Sequence, residues 1–256
     1  MTEQVKCCML STLTSRTLVL GLALPLAASL LPLQHASADI NREGKVPPVE
    51  FVQARMWKNM KLADFRLEGI VRTSKKKYPI VLRTAGYEMI YEFQDQPLQI
   101  RVVIDPDSST VQKRAKSSDA WVTLSETDKM KTILDSDITY EDLCLDFIRW
   151  SHVTPLGTDN IKTLPTWAFE ATPDGASRYT KARYWISSEY FAFMRVDAYN
   201  KQNQVIKRVE VNSVQQIGKA YCIKEMMISN LIPGRDISKT QTWVEIRTGK
   251  EGVSGL

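Results

Sequence analysis

The stretch Asp135–Trp150, DSDITYEDLCLDFIRW, concentrates helix signals that the rest of the chain lacks. Thr139 can cap a helix, and Asp142 follows at the spacing of a capping box. Asp137, Glu141 and Asp142 put negative charge where the positive end of a helix dipole would lie. Arg149 puts a cation in the last turn. Tyr140, Leu143, Cys144, Phe147 and Ile148 recur at helical spacing and form one apolar face. The pattern predicts an amphipathic helix, either packed into a core or covering the open face of a sheet over a cavity.

On both sides of it the period falls to two. Before it, Tyr87–Phe93 (YEMIYEF) sets Tyr87, Met89, Tyr91 and Phe93 on one face and Glu88 and Glu92 on the other. Leu98–Ile104 repeats this with Leu98, Ile100, Val102 and Ile104. Phe65–Arg72 and Tyr78–Thr84 alternate likewise around a Ser74–Lys77 connection, and Thr110–Lys116 reads as a polar strand. After Trp150, strands follow at Thr166–Thr172, with Trp167 and Phe169 on one face, and at Tyr179–Ser187, Phe191–Tyr199, Val205–Asn212, Tyr221–Ser229 and Thr240–Thr248. Pro173-Asp174-Gly175, Asn200–Gln204 and Pro233-Gly234 read as turns. A short helix is expected after Pro47-Pro48, with Val49, Val52, Met56, Trp57 and Met60 on one side. About ten strands at short, regular spacing predict an antiparallel sandwich or barrel. No strand–helix–strand alternation argues for a parallel sheet, and no low-complexity linker divides the chain.

Of the 256 residues, 43% are hydrophobic and 25% charged, the balance of a soluble globular protein. A net charge of +5 is too mild to argue for nucleic acid. The N-terminus is set apart. Lys6 and Arg16 precede the apolar run Thr17–Leu33, which Pro25 and Pro32 interrupt and which is shorter than the ~20 residues of a spanning helix. Ala36-Ser37-Ala38 offers small residues for a signal peptidase. A cleaved signal peptide over residues 1–38 is expected, leaving a single domain over residues 39–256 and a net charge of +4 once Glu3, Lys6 and Arg16 are gone. Cys7 and Cys8 precede the apolar run, so neither sits where a lipid-modified cysteine follows one. Cys144 and Cys222 remain and are expected as buried thiols.

Nothing in the mature chain assembles catalytic machinery. His152 is its one histidine, and there is no G-x-S-x-G, H-E-x-x-H, Gly-rich phosphate loop or C-x-x-C. Asp137, Glu141 and Asp142 lack the spacing and glycine of an EF-hand, and capping accounts for them. The chain reads as no enzyme, with no metal site and no cofactor. What stands out is a supply of aromatic, Met and aliphatic residues on strand faces, including Trp185, Phe191, Phe193, Tyr221 and Met227. They either fill a core or line an apolar cavity.

The segment Ser136-Asp137-Ile138-Thr139-Tyr140-Glu141-Asp142-Leu143, followed by an apolar run ending at Trp150, resembles the hallmark S-D-[ILV]-[ST]-Y-E-D-L of the LolA-like outer-membrane lipoprotein-sorting proteins. Tyr179–Ile186 resembles a strand of that family in which a Tyr is followed by a Trp-Ile pair. Met194–Tyr199 with Gln204–Lys207 resembles its next hairpin. Two departures stand out: the turn before Val205 is Asn200–Gln204 rather than Asp-x-x-Gly, and a further element carrying a Phe would be expected beyond Leu256.

The resemblance implies an incomplete antiparallel β-barrel with a helical lid over its concave face. It also implies a periplasmic carrier that takes acylated lipoproteins from an inner-membrane exporter to an outer-membrane acceptor as a monomer. On this reading Tyr87, Met89, Tyr91, Phe93, Leu98, Ile100, Trp167 and Phe169 line the cavity wall. Tyr140, Leu143, Phe147 and Ile148 form the underside of a loosely packed lid. A lipid-sensing regulatory or protein-binding module using the same barrel is the rival, distinguished by capture of one regulatory partner rather than lipoproteins. A small-molecule hydrolase is a third class, which a substrate screen would exclude.

Overall fold

Apolar–polar alternation makes strands almost everywhere it occurs. A computed structural model describes residues 40–217, 220–232 and 240–247, all within one compact unit, Ala38–Leu256. The expected signal peptide, the Pro233-Gly234 turn and the chain end lie outside the described residues. The chain enters through helix α1, Val49–Met60, started after Pro48 and burying Val52 and Met56. It then forms β1 (Leu62–Arg72), β2 (Lys77–Gly86), β3 (Glu88–Phe93), β4 (Leu98–Ile104), β5 (Ser109–Arg114) and β6 (Val122–Thr123). A four-residue helix, α2 (Glu126–Lys129), and two 3₁₀ turns, Glu141–Cys144 and Asp146–Ile148, follow. The remaining strands are β7 (His152–Ile161), β8 (Leu164–Thr172), β9 (Lys181–Ser187), β10 (Phe193–Tyr199), β11 (Val205–Ile217), β12 (Ala220–Asn230) and β13 (Gln241–Arg247). Thirteen strands are thus described, where about ten were expected.

All pair antiparallel in one open sheet, ordered β6-β5-β4-β3-β2-β1-β13-β12-β11-β10-β9-β8-β7. The topology explains the role of the central stretch. The first six strands step outward to one edge, β6; the next seven begin at the other edge, β7, and step back until β13 pairs with β1. Residues 124–151 must therefore carry the chain from one edge to the other. The first 3₁₀ turn contacts β4 and β5, and the second contacts β8, so the crossing bridges the edges that do not pair.

The expected helix over Asp135–Trp150 is not there. Leu145 adopts φ 51°, a left-handed conformation that an α-helix of L-residues cannot contain, and it separates the two 3₁₀ turns. The capping-box pair does form: the Thr139 N–H donates to Asp142 at 2.7 Å, and the Asp142 N–H donates to the Thr139 hydroxyl at 3.3 Å. The reason the chain stays irregular is polar. Its carboxylates are bound by strands rather than by a helix terminus. Asn230 of β12 and Thr242 of β13 donate to Asp137 at 2.6 and 3.0 Å. Ser109 of β5 donates to Asp146 at 2.7 Å, and Tyr78 of β2 donates to Asp135. This lacing also corrects the expectation of a loosely packed lid.

Two apolar clusters lie on the concave side. One joins β1–β5 and β13 to Ile133, Ile138, Tyr140 and Cys144 of the crossing. The other joins α1 to Phe147, Ile148 and Trp150 and to Phe169, Tyr184 and Ile186 of β8 and β9. A third, with Trp185, Met194 and Val211, packs separately around Ile161 and Ala168. Cys144 and Cys222 are free thiols; Cys144 is buried and Cys222 half-buried.

Candidate functional site

Between the two concave-side clusters lies an apolar cavity of about 170 Å³. Its roof is the crossing segment: Ile138, Leu143, Leu145, Phe147 and Trp150. Its wall comes from Met89 and Tyr91 on β3, Ala182 on β9, Phe193, Val196 and Ala198 on β10, Val209 on β11, and Ile223, Met226 and Ile228 on β12. Strand register accounts for the wall. Ala198 faces Ala182 and Val196 faces Tyr184 across β9–β10, while Val209 faces Ile228 across β11–β12. The small residues of the β9–β10 pair leave space beside the rings of Phe147 and Phe193, which lie 6.5 Å apart.

Among these apolar groups sits a buried ion pair. Lys207 of β11 bonds to Asp142 of the roof, with side chains 3% and 9% exposed. The Tyr179 hydroxyl donates to the other Asp142 oxygen at 2.8 Å, and the Lys207 ammonium lies 5.9 Å from the Tyr179 ring. Burial, reinforced by Asp142, raises the Tyr179 hydroxyl well above its ordinary range. Glu141, next in the chain, accepts from the Ser177 hydroxyl, but its Oε2 is buried and has no hydrogen-bond partner. Burial raises its carboxyl, the Ser177 bond opposes that, and the adjacent Asp142 adds to it. Tyr91 is pushed up to about 12 by burial alone. No group of three or more metal-ligating side chains occurs among the described residues.

Three solved structures share this architecture. A DUF1329 family protein from Desulfovibrio piger aligns with a TM-score of 0.62 at 14% identity, over 78% of this chain and 90% of that one. An outer membrane lipoprotein-sorting protein domain from Vibrio parahaemolyticus aligns at 0.61 and 16%, over 79% and 93%. A LolA superfamily protein from Nitrosomonas europaea aligns at 0.55 and 10%, over 79% and 93%. No curated protein matches. A family model described as "-like: Uncharacterized protein" matches residues 115–250, more than half of the chain. The chain belongs to that family, and its fold is LolA-like. The matched residues contain the whole crossing segment and β7–β13, hence the roof and most of the cavity wall.

In this LolA-like frame the expected wall residues divide. Met89 and Tyr91 line the cavity. Phe93 and Ile100 face the same way but are buried beside a void of about 20 Å³ in the first cluster, and Leu98 packs against that cluster. Tyr87 leaves the strand: it sits in the turn after Gly86, whose φ of +61° ends β2. Trp167 packs half-buried against the second cluster, 5.5 Å from Phe191, and Phe169 is fully buried, stacked on Tyr184. Of the expected lid residues, Leu143 and Phe147 roof the cavity, whereas Tyr140 and Ile148 are buried in the two clusters beside it. Tyr221, read as part of an apolar face, is 61% exposed. The polar members, Lys207, Asp142, Glu141 and Tyr179, were missed as a group. Asp142 and Glu141 read as caps and Lys207 as one polar residue in an alternating strand.

Proposed function

We propose that the chain is a periplasmic carrier that sequesters acyl chains of lipoproteins between the concave sheet and the crossing segment. It would move them from an inner-membrane exporter to an outer-membrane acceptor as a non-catalytic monomer without a cofactor. The proposal takes residues 1–38 as a cleaved export signal and residues 39–256 as one domain. The observation that carries it is the apolar cavity roofed by Leu143 and Phe147 and walled by β3 and β9–β12 of the open sheet. Burial of acyl carbon supplies the driving force, about 0.8 kcal/mol per CH₂.

The cavity's size sets how the carrier would load. At about 170 Å³ it is close to an engineered cavity of ~150 Å³ that takes a benzene-sized guest. Whole acyl chains therefore require the crossing segment to move outward. Its strand-bound carboxylates make that movement a discrete opening rather than a loose fluctuation. Native mass spectrometry with a peptide carrying a lipid-modified cysteine tests the reading. Binding is expected with the wild type and is expected to be lost in Phe147→Asp. No binding, or binding that survives Phe147→Asp, refutes it.

A further inference from the structure

Six large apolar side chains are exposed among the described residues, and four of them gather on one surface. Phe51 comes from α1, Tyr190 from the β9–β10 turn, and Val214 and Tyr221 from the β11–β12 hairpin. Ring contacts join them. Phe51 meets Phe191 edge-on at 5.9 Å, and Phe191 lies 5.5 Å from Trp167. Tyr190, the neighbour of Phe191 in the chain, lies 5.9 Å from Tyr221. Asn59 of α1 donates to the Tyr190 carbonyl at 2.8 Å and ties the helix to the turn. The hairpin itself protrudes. Described pairing of β11 with β10 ends at Glu210 and that of β12 with β13 at Glu225, yet β11 and β12 pair with each other out to Ile217 and Ala220. On one face of this two-stranded arm Val214 lies opposite Ile223 and diagonal to Tyr221. The outer stripe of α1 adds charge. Phe51, Ala54, Arg55 and Lys58 are exposed at i, i+3, i+4 and i+7. The Arg55 guanidinium lies 5.5 Å from the Phe51 ring centroid. Among the described residues no carboxylate lies within ion-pair distance of Arg55 or Lys58. Glu189, the carboxylate of the turn, is engaged by the Tyr190 hydroxyl.

We propose that this surface docks on an anionic phospholipid bilayer. Phe51, Tyr190, Val214 and Tyr221 seat at the boundary between head groups and acyl chains, and Arg55 and Lys58 meet the lipid phosphates. Three observations select a bilayer as the occupant. The apolar residues are mostly aromatic, and tyrosine rings suit a layer that is apolar on one side and wet on the other. The cations stand on the same helix stripe as Phe51, where long side chains lay their stems along apolar surface and keep their charges in the head-group layer. Their charge complements an anionic leaflet. The apolar arm, flanked by no strand among the described residues, needs a soft layer to enter rather than a preformed pocket. The assignment stands apart from acyl binding in the cavity. The two meet at Ile223 and Phe193, which line the cavity and lie two residues from Tyr221 and Phe191.

Co-sedimentation of the whole exported chain with sucrose-loaded vesicles tests the proposal. One set holds phosphatidylglycerol and phosphatidylethanolamine, the other phosphatidylcholine alone. The chain is expected to bind the anionic set about tenfold more tightly or better, and to lose that margin in high salt. Arg55→Gln/Lys58→Gln is expected to remove the margin and leave phosphatidylcholine binding unchanged. Phe51→Ser/Tyr190→Ser/Tyr221→Ser, at side chains already exposed, is expected to weaken binding to both sets by about tenfold or more. Three controls keep their affinity if the surface is the one named. Val122→Ser alters an equally exposed apolar residue on β6. Lys75→Gln/Lys76→Gln/Lys77→Gln neutralises the cationic β1–β2 turn. Ala198→Leu occupies the cavity and so separates docking from acyl uptake. Equal binding to the two vesicle sets, binding untouched by both surface variants, or binding lost with the turn lysines overturns the proposal. So does a wild type that binds no vesicle. A wild-type dimer that the triple serine variant converts to monomer, without vesicle binding, assigns the surface to a second copy and overturns the bilayer.

Discussion

Lys207 and Asp142 form an ion pair, nearly withdrawn from water, that joins strand β11 to the segment roofing the cavity. Two charges in an apolar surrounding lose most of their hydration, and only their mutual attraction and further hydrogen bonds restore it. Asp142 has those further bonds, from Tyr179 and from the Thr139 N–H. The pair is therefore a fastening whose halves are costly to separate, in keeping with a roof that is shut or open rather than continuously mobile.

Removing one partner should be worse than removing both. Asp142→Asn leaves an uncompensated ammonium beside Val209 and Ile228 and is expected to destabilise by about 3–5 kcal/mol. Lys207→Met is expected to cost less, because Asp142 keeps two donors. The double variant Asp142→Leu/Lys207→Met is expected to recover most of the loss. Denaturant unfolding of the three variants checks the order, and a double variant no better than Asp142→Asn would contradict the fastening.

Tyr179→Phe isolates one strand of the same network. It deletes only the hydroxyl that donates to Asp142 at 2.8 Å and leaves the ring under the Lys207 ammonium. A hydrogen bond to a buried charge is worth about 1.5–3 kcal/mol, so a loss in that range is expected in thermal or denaturant unfolding. The loss should shrink toward zero in the Asp142→Leu/Lys207→Met background, since the acceptor is gone. Equal losses in both backgrounds would assign the tyrosine's role to packing instead.

Period-two alternation made most of this sheet legible, because one buried face leaves a plain mark in sequence. Met89 and Tyr91 share the face that lines the cavity, as that alternation implies. The misplacements follow from local backbone events that alternation does not record. Gly86 turns Tyr87 out of its strand. Register shifts between β11 and β12 around Ser213 and Glu225 change the parity of the inward face, so that Met226 and Ile228, not Met227, join Ile223 in facing the cavity. The central stretch misled for a different reason. Its caps and apolar spacing are true helix signals, but Leu145 breaks the helix, and distant strands recruit Asp135, Asp137, Asp142 and Asp146. Lys207 carries no sign in sequence of the carboxylate it meets, since Asp142 lies 65 residues away.

On β10, away from the cavity wall, Asp197 is buried between Arg195 and Arg208 and is pushed up to about 6. Burial is the larger cause, and the Arg195 charge opposes it. A carboxyl raised in the folded state binds its proton more tightly there than in the unfolded chain. Its stabilising contribution is thus full below the ordinary value of 3.8 and is lost as pH rises through about 6. Asp197→Asn removes this titration. Melting temperature followed from pH 3.5 to 6.5 is expected to show the wild type losing stability relative to the variant across that window. Parallel curves would mean that Asp197 is unshifted on folding, and a wild type gaining on the variant as pH rises would mean that the two guanidinium groups hold it ionised.

The cavity itself is tested best by filling it. Ala198 and Ala182 face each other across β10 and β9 and both open onto the space. Ala198→Leu adds apolar carbon to an existing void, so stability is expected to stay within about 1 kcal/mol of wild type. Affinity for a C12 amphiphile should nevertheless fall at least about tenfold, because the added side chain and the ligand compete for the same volume. Ala168→Leu supplies the contrast. Ala168 is fully buried in the separate cluster around Trp185 and Met194 and lines none of the cavities described above. Overpacking there is expected to cost about 1–3 kcal/mol and to leave affinity unchanged. The two variants thus dissociate binding from stability in opposite directions, and only a ligand seated under Leu143 and Phe147 produces that pattern. If Ala198→Leu binds as tightly as wild type, the acyl chain goes elsewhere on the sheet.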